Sequence, residues 1–140
     1  MKAIFLDIDG VLALSTNGFN FDTDCINRLK ALAQRTGAKV VLCSSWKESD
    51  LQKTIKYFPT TLKEIISDQT PNLPGKCKGE EVQAWIEANA VDSYVIFDDE
   101  PEHYFEYQYA LYLVTTDPRA GLTEKKVKEA LWNLERNTKK

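Results

Sequence analysis

Residues 3–14 read AIFLDIDGVLAL, an apolar run that leads directly into two aspartates and a glycine. The apolar part lacks the polar alternation of a half-exposed strand, which is typical of a strand covered on both faces of a sheet. Asp7 and Asp9 follow this strand, and Gly10 permits a sharp turn immediately after them. Because an Asp-x-Asp-Gly sequence also occurs in simple turns and in calcium-binding loops, its meaning depends on what the rest of the chain places beside it.

Short β-rich segments alternate with helical segments along the rest of the chain. The predicted strands are residues 2–6, 39–43, 94–97 and 111–114, with a further short strand at 64–67. Helical spacing and helix stop signals predict helices around residues 25–33, 47–57, 82–86 and 127–134. Gly37 is expected to cap the first helix, and Thr123 to cap the last. This alternation predicts one three-layer α/β domain over residues 1–140, built on a parallel sheet with right-handed crossovers.

Composition and charge narrow the class of protein. No apolar run in the 140 residues approaches the roughly 18 needed to span a membrane, and the start of the chain lacks the pattern of a signal peptide, so we expect a cytoplasmic protein without membrane contact. The net charge of −3 gives no general attraction for nucleic acid or anionic lipid, and the lysines near the C-terminus are interpreted as a solvated helix face. The three cysteines, Cys25, Cys43 and Cys77, lack metal-ligand spacing and are expected to be reduced thiols.

Polar side chains follow three of the predicted strands, at the point where each strand ends. They are Asp7 and Asp9, then Ser44 and Ser45, then Asp98 and Asp99. Ligands of open parallel sheets bind outside the carboxyl ends of the strands, so we expect these groups to meet at one edge. Carboxylates packed this closely repel one another unless a cation neutralises them. Mg²⁺ suits the set best, because it accepts one or two carboxylates, several waters and phosphate oxygens.

Each motif also has a plain structural interpretation. The serines of SSW at residues 44–46 are suitable helix N-caps, and DDE before Pro101 is suitable for a turn and a helix start. A lysine such as Lys78 is most often solvated. The joint occurrence of these motifs, in this order and at strand ends or helix starts, is what favours chemistry.

Together the motifs resemble those of the haloacid dehalogenase (HAD) superfamily of phosphohydrolases. The first motif resembles FLDIDGVL, the second the serine of VVLCSS, the third a lysine before a helix, here Lys78, and the fourth IFDDE, so that the resemblance spans residues 3–100. The segments DIDGVL, LCSSW, KGEEVQAWI, VIFDDE and GLT are also similar to HAD domains of Swiss Army Knife RNA repair proteins. The resemblance implies a Rossmann-like sheet of order 5-4-1-2-3. The intervals 10–22 and 68–78 are too short for a folded cap domain, so an open site is expected.

The resemblance also implies roles for individual residues. Asp7 would be the nucleophile that forms an aspartyl-phosphate, and Asp9 the general acid and base. Ser44 would hydrogen-bond a phosphoryl oxygen, and Lys78 would stabilise negative charge in the transition state. Lys76 remains an alternative to Lys78, and Ser45 an alternative to Ser44.

The implied metal and substrate contacts complete this assignment. Mg²⁺ would bind Asp7, the backbone carbonyl of Asp9, and one or both of Asp98 and Asp99, with Glu100 as a further candidate. Backbone amides of the turn at Gly10 and of Ser45 would cradle the phosphate. The expected substrate is a nucleotide, a nucleic-acid end or a small phosphomonoester.

Aromatic residues offer stacking surfaces for a nucleobase, among them Phe19, Phe21, Trp46, Tyr104, Tyr107 and Tyr109. Since most aromatic side chains belong to the core, only Trp46 or a residue of the segment 17–21 is expected to face the site. His103 is expected at the surface or core edge rather than as a catalytic base.

Two other classes of protein stay open at this stage. A receiver-like phospho-switch also gathers aspartates, a hydroxyl and a lysine around Mg²⁺, but it would not place a second acid pair after the lysine. A catalytically inactive HAD-like binding module is the other class, because fold does not guarantee function. Against it, no expected catalytic position is missing.

Overall fold

The computed structural model describes residues 1–104 and 112–136. In chain order its strands and helices are β1 (Lys2–Leu6), β2 (Ala13–Leu14), β3 (Asn20–Phe21), α1 (Thr23–Thr36), β4 (Lys39–Leu42), α2 (Leu51–Ile55), α3 (Thr60–Ile65), β5 (Ile66–Gln69), α4 (Lys78–Ala88), β6 (Ser93–Asp98), β7 (Leu113–Thr115) and α5 (Glu124–Arg136). Short 3₁₀ turns cover Ser15–Asn17 and Pro101–His103.

A parallel sheet in the order β5-β4-β1-β6-β7 forms the centre of the fold. The labels differ from the expected order 5-4-1-2-3 because the small antiparallel hairpin β2-β3, which the sequence analysis missed, takes two of the numbers. When the five strands of this sheet are numbered from 1 to 5 in chain order and read from the β7 edge, their order is 5-4-1-2-3. The first strand of the chain is therefore the central one, and its residues from Ala3 to Leu6 are buried.

Alternate residues of β1 face two separate layers of helices. Ile4 and Leu6 pack in the larger core cluster with apolar residues of α1, α3 and α5. Ala3 and Phe5 face the smaller cluster, to which α4 contributes Val82 and Trp85. Both faces of the strand are covered, so its continuous apolar sequence is explained and the predicted three-layer α/β class is confirmed.

The predicted helix ends at Gly37 and Thr123 are confirmed. Gly37 adopts a φ of 70° and its N–H donates to the carbonyl of Ala33, which closes α1. The hydroxyl of Thr123 accepts a bond from the N–H of Lys126 at the start of α5. These local signals were readable because caps depend on residues close in sequence.

Three predicted segments differ from the structure. The helix expected at 47–57 is limited to Leu51–Ile55, because Asp50 caps it and Lys47 pairs with Glu81 instead of beginning the helix. The strand expected at 64–67 begins at Ile66, since residues 64 and 65 complete α3. The strand expected at 111–114 is found as Leu113–Thr115, while residue 111, Tyr107 and Tyr109 lie outside the described residues.

Among the described residues, no helix combines the length and apolarity needed to cross a membrane. The three cysteines are free thiols, as expected, and two of them, Cys25 and Cys43, are buried.

Candidate active site

The carboxyl ends of β1 and β6 bring together the acids that the sequence analysis singled out. Asp7 follows β1, and its N–H continues the ladder by donating to the carbonyl of Phe97 at 3.0 Å. Asp98 is the last residue of β6 and is fully buried, while Asp7 is 4% exposed. Carboxylate oxygens of Asp7, Asp98 and Asp99 lie within 4.8 Å of one another. The predicted convergence of these three acids is confirmed by this geometry.

Lys78 lies between two of these acids. It is the first residue of α4, and its Nζ is 3.2 Å from Oδ1 of Asp7 and 3.2 Å from Oδ2 of Asp98. Lys76, the alternative considered for the same position, instead pairs with Glu80 at 3.5 Å and is more than half exposed. The start of α4 thus places Lys78, and not Lys76, against the acids.

Burial and neighbouring charges shift the pKa values of Asp7, Asp99 and Lys78. Desolvation, followed by repulsion from Asp98, raises the pKa of Asp7 to about 7. The same two causes raise the pKa of Asp99 to about 6. Burial alone lowers the pKa of Lys78, but the neighbouring Asp7 and Asp98 outweigh it, so the pKa lies above its ordinary value. The cluster therefore holds more negative charge than one ammonium neutralises.

Asp98 has both carboxylate oxygens engaged by the protein. Oδ2 accepts bonds from Lys78 and from the hydroxyl of Tyr104 at 2.7 Å, and Oδ1 accepts the N–H of Glu100 at 3.0 Å. Tyr104 is 1% exposed, as expected for a core aromatic, and its hydroxyl lies 3.8 Å from Sγ of Cys43. The bond from Tyr104 to Asp98 was not predicted from the sequence, because Tyr104 belongs to a segment without a strand or helix pattern.

The turn after β1 holds Asp9 and Gly10 above the sheet edge. Oδ1 of Asp9 is buried and has no hydrogen-bond partner among the described residues. The carbonyl of Gly10 accepts a bond of 2.7 Å from the hydroxyl of Thr116, a residue that the sequence analysis did not identify. Since a buried polar atom without a partner is costly, Asp9 is suited to a ligand or reacting group that arrives from outside.

Gly10 cannot be replaced without disturbing the acids. Its φ is +80°, and a Cβ at this position would lie 2.4 Å from Cγ of Asp99. We expect Gly10→Ala to lower the free energy of unfolding by about 3 kcal/mol and to displace Asp99, because strain and a clash add. Gly37→Ala is the matched control, since Gly37 has a φ of +70° with nothing within 4 Å and should lose only about 1 kcal/mol. Urea denaturation measures both, and equal losses would contradict the clash.

The loop after β4 contributes hydroxyls. Ser44 is 2% exposed, and its Oγ accepts the N–H of Trp46 at 3.1 Å, which leaves its own hydrogen available for a phosphoryl oxygen. Ser45 is exposed. Trp46 is 37% exposed, and its ring packs edge-on against Phe21 and Phe58.

A cleft of about 540 Å³ opens beside these residues. Ser44, Ser45 and Lys78 line it together with the loop that precedes α4 and with His103. His103 is partly exposed and bonds Glu100 at 2.7 Å, which agrees with the expected surface position. Trp46 does not line this cleft, so its expected place against the substrate finds no support there.

The floor of the cleft is held by a buried ion pair. Lys47 contacts Oε1 of Glu81 at 2.9 Å and also bonds both the carbonyl and the hydroxyl of Thr70. The other carboxylate oxygen of Glu81 accepts the N–H of Leu73 at 2.9 Å. These bonds tie the Ser44 loop and the loop before α4 to the helix that carries Lys78.

Removal of the Tyr104 hydroxyl is expected to weaken this edge of the sheet. A buried hydrogen bond to a charged group is worth about 1.5–3 kcal/mol, so Tyr104→Phe should lower the free energy of unfolding by about 2 kcal/mol in urea denaturation. Tyr57→Phe serves as the control, because Tyr57 is 84% exposed. A Tyr104→Phe protein as stable as this control would show that the bond to Asp98 is not a significant constraint.

The donor set fits a hard divalent cation. The carboxylates of Asp7, Asp98 and Asp99 lie within 4.8 Å of one another, and Asp9, whose Oδ1 has no partner among the described residues, is two residues after Asp7. Mg²⁺ prefers oxygen ligands and a negatively charged site, and these acids offer only oxygen atoms as ligands.

The parallel α/β sheet with a lysine held between acids at its carboxyl edge agrees with the resemblance to HAD-type domains. The model of the family described as the HAD domain in Swiss Army Knife RNA repair proteins matches residues 3–127. The match covers most of the chain, so the protein belongs to this family, and membership indicates a hydrolase of the phosphatase type. A comparison with curated proteins gives no match.

Proposed function

We propose that this protein is a Mg²⁺-dependent phosphomonoester hydrolase that acts through an aspartyl-phosphate on Asp7. The observation that carries the proposal is Lys78 Nζ at 3.2 Å from Asp7, in a buried cluster of acids. A lysine in this position holds the nucleophile and lies where it can also meet the oxygens of a phosphoryl group. Family membership supports the same reaction class.

The proposed reaction has two displacements at phosphorus. In the first, a carboxylate oxygen of Asp7 bonds to phosphorus while the bond to the leaving oxygen breaks, and Asp9 gives its proton to that oxygen. In the second, Asp9 takes a proton from water as the water oxygen bonds to phosphorus and the bond between phosphorus and the Asp7 oxygen breaks, which releases phosphate and restores the Asp7 carboxylate. Ser44 donates a hydrogen bond to a phosphoryl oxygen, and Lys78 stabilises charge on the others.

The contacts of Asp98 and Asp99 support different roles, positioning of Lys78 for the first and metal binding for the second. Lys78, Tyr104 and the Glu100 amide use the oxygens of Asp98, so we assign it to positioning Lys78. Asp99 is only partly buried and lies beside Gly10. Asp7, Asp99 and the Asp9 carbonyl are the proposed metal ligands. When bound, Mg²⁺ would offset the repulsion between Asp7 and an incoming phosphate.

The substrate is proposed to be a nucleotide or a nucleic-acid end, because the matched family model describes domains of RNA repair proteins. The interval between β1 and α1 holds only the β2-β3 hairpin and a 3₁₀ turn. We therefore infer a single domain without a cap, whose open site admits a phosphate on a large molecule.

Phosphate release tests this proposal. We expect the purified protein to hydrolyse p-nitrophenyl phosphate and at least one of the 3′- and 5′-phosphorylated oligonucleotides in Mg²⁺, and to stop in EDTA. The exposed-acid variant Asp24→Asn is the control and should retain full activity. Phosphorylation of Asp7 by a small phosphodonor without turnover would instead favour the receiver-like switch, and neither activity would favour a binding module.

Mg²⁺ is expected to stabilise the protein more strongly at pH 8 than at pH 5. Asp7 and Asp99 have pKa values raised to about 7 and about 6, so protons occupy them in acid and compete with the metal. Thermal unfolding with and without 10 mM Mg²⁺ measures the effect. A shift of several degrees at pH 8 that nearly vanishes at pH 5 is predicted, and a shift independent of pH would contradict these acids as ligands.

A further inference from the structure

We propose that the cleft beside Lys78 binds the nucleotide that carries the reacting phosphate, and that Lys76 binds the next phosphate of the same strand. This inference rests on the proposed function and narrows its substrate to single-stranded nucleic-acid ends of two or more nucleotides. It makes Lys76 a specificity-determining residue rather than a substitute for Lys78.

The cleft has the right place and size for such a ligand. It is lined by Ser44 and Lys78, so the group attached to a phosphate that these two residues hold would lie in the cleft. Its volume of about 540 Å³ lies within the range of small-molecule sites. The cleft therefore offers space of the order that a nucleotide needs, next to Lys78.

The three lysines that line this cleft differ in the contacts that their ammonium groups already make. Lys47 is buried and bound to Glu81 and to oxygens of Thr70 and Pro71, so it belongs to the floor. Lys78 is held by Asp7 and Asp98 at the reacting end. Lys76 is 56% exposed, and its pair with Glu80 at 3.5 Å is of the solvent-exposed kind that contributes little.

Lys76 and Lys78 are two residues apart in sequence and line the same cleft, so one ligand that carries two phosphates can contact both. Their Cα atoms are separated by two peptide units, at most about 7.2 Å. An ammonium group binds phosphate as a point charge and tolerates some variation in position. A phosphate attached to a protein side chain has no second phosphate to offer Lys76, so charge complementarity favours a nucleic-acid strand.

Binding to the Asp7→Asn protein separates this inference from catalysis. Calorimetry in Mg²⁺ would compare uridine 3′-monophosphate with the 3′-phosphorylated uridine dinucleotide, and the corresponding 5′ pair. For at least one polarity we expect the dinucleotide to bind about fivefold more tightly, the ratio that one exposed ion pair supports. Lys76→Ala added to Asp7→Asn should abolish this advantage, and raised salt should reduce it.

Lys63→Ala is the matched control. Lys63 is an exposed lysine of α3, close to the strand ends opposite the site, and its removal changes the net charge equally. The dinucleotide advantage should survive in it. The inference would be overturned if the mononucleotide and the dinucleotide bound equally well in both the 3′ and the 5′ pair, or if neither bound. Equal effects of Lys76→Ala and Lys63→Ala would also overturn it. Hydrolysis by the wild-type protein tests the proposed function separately, so the two failures are distinguishable.

Discussion

Asp7→Asn is expected to abolish phosphate release and at the same time to stabilise the metal-free protein. Loss of the proposed nucleophile should reduce turnover by at least about 10⁴-fold, because removing a nucleophile disables the whole catalytic group. Burial and repulsion from Asp98 raise the pKa of Asp7 to about 7 from its ordinary value of 3.8. The ionised carboxylate is thus a cost that the asparagine removes.

The sign of the pH dependence follows from that raised pKa. Between about pH 4 and pH 7 the folded protein binds more protons at Asp7 than the unfolded chain does, so stability falls as the pH rises through this interval. Asp7→Asn should remove this fall and raise the Tm in EDTA by about 5 °C at pH 8, with little difference near pH 4. Asp24→Asn, at an exposed position in the first turn of α1, should leave activity unchanged and should not raise the Tm, because a first-turn acid stabilises a helix by about 0.3–1 kcal/mol. A metal-free Asp7→Asn protein less stable than the wild type at pH 8 would contradict the burial of a charged Asp7.

Lys78→Met should have the opposite effect on stability. Lys78 neutralises part of the charge on Asp7 and Asp98 at 3.2 Å from each, and removing one member of a buried ion pair costs about 3–5 kcal/mol. We expect a loss of about 3 kcal/mol at pH 8 in urea denaturation, and a smaller loss at pH 5, where Asp7 is protonated. Turnover should fall by about 10²–10³-fold, since a group that stabilises the developing charge is gone.

Lys76→Met is the matched control for the stability measurement. Its ion pair with Glu80 is exposed, so the expected loss is below about 1 kcal/mol. Similar losses in the two variants would show that the Lys78 contacts are no stronger than a surface pair. Turnover within tenfold of the wild type in Lys78→Met would contradict its proposed role.

The main site acids and the fold class were predictable because they depend on local patterns and on one rule of topology. Asp7 and Asp98 follow apolar strands, and parallel strands bring such ends together. The helix caps at Gly37 and Thr123 depend on neighbours within four residues. These features need no knowledge of how distant side chains pack.

Features that depend on distant contacts were not predictable. The predicted start of the helix at residue 47 was wrong, because Lys47 pairs with Glu81, a residue 34 positions away. Tyr104 and Thr116 lie in segments without periodicity, and only the folded chain shows their bonds to Asp98 and Gly10. The different contacts of Asp98 and Asp99 likewise required side-chain positions, because the two are adjacent in sequence.

Catalysis by Asp7 is tested by the rate of p-nitrophenyl phosphate hydrolysis by the wild type and by Asp7→Asn, each measured in Mg²⁺ and in EDTA. We expect phosphate release only by the wild type in Mg²⁺. Release by Asp7→Asn at a rate comparable to that of the wild type, or release unaffected by EDTA, would contradict it.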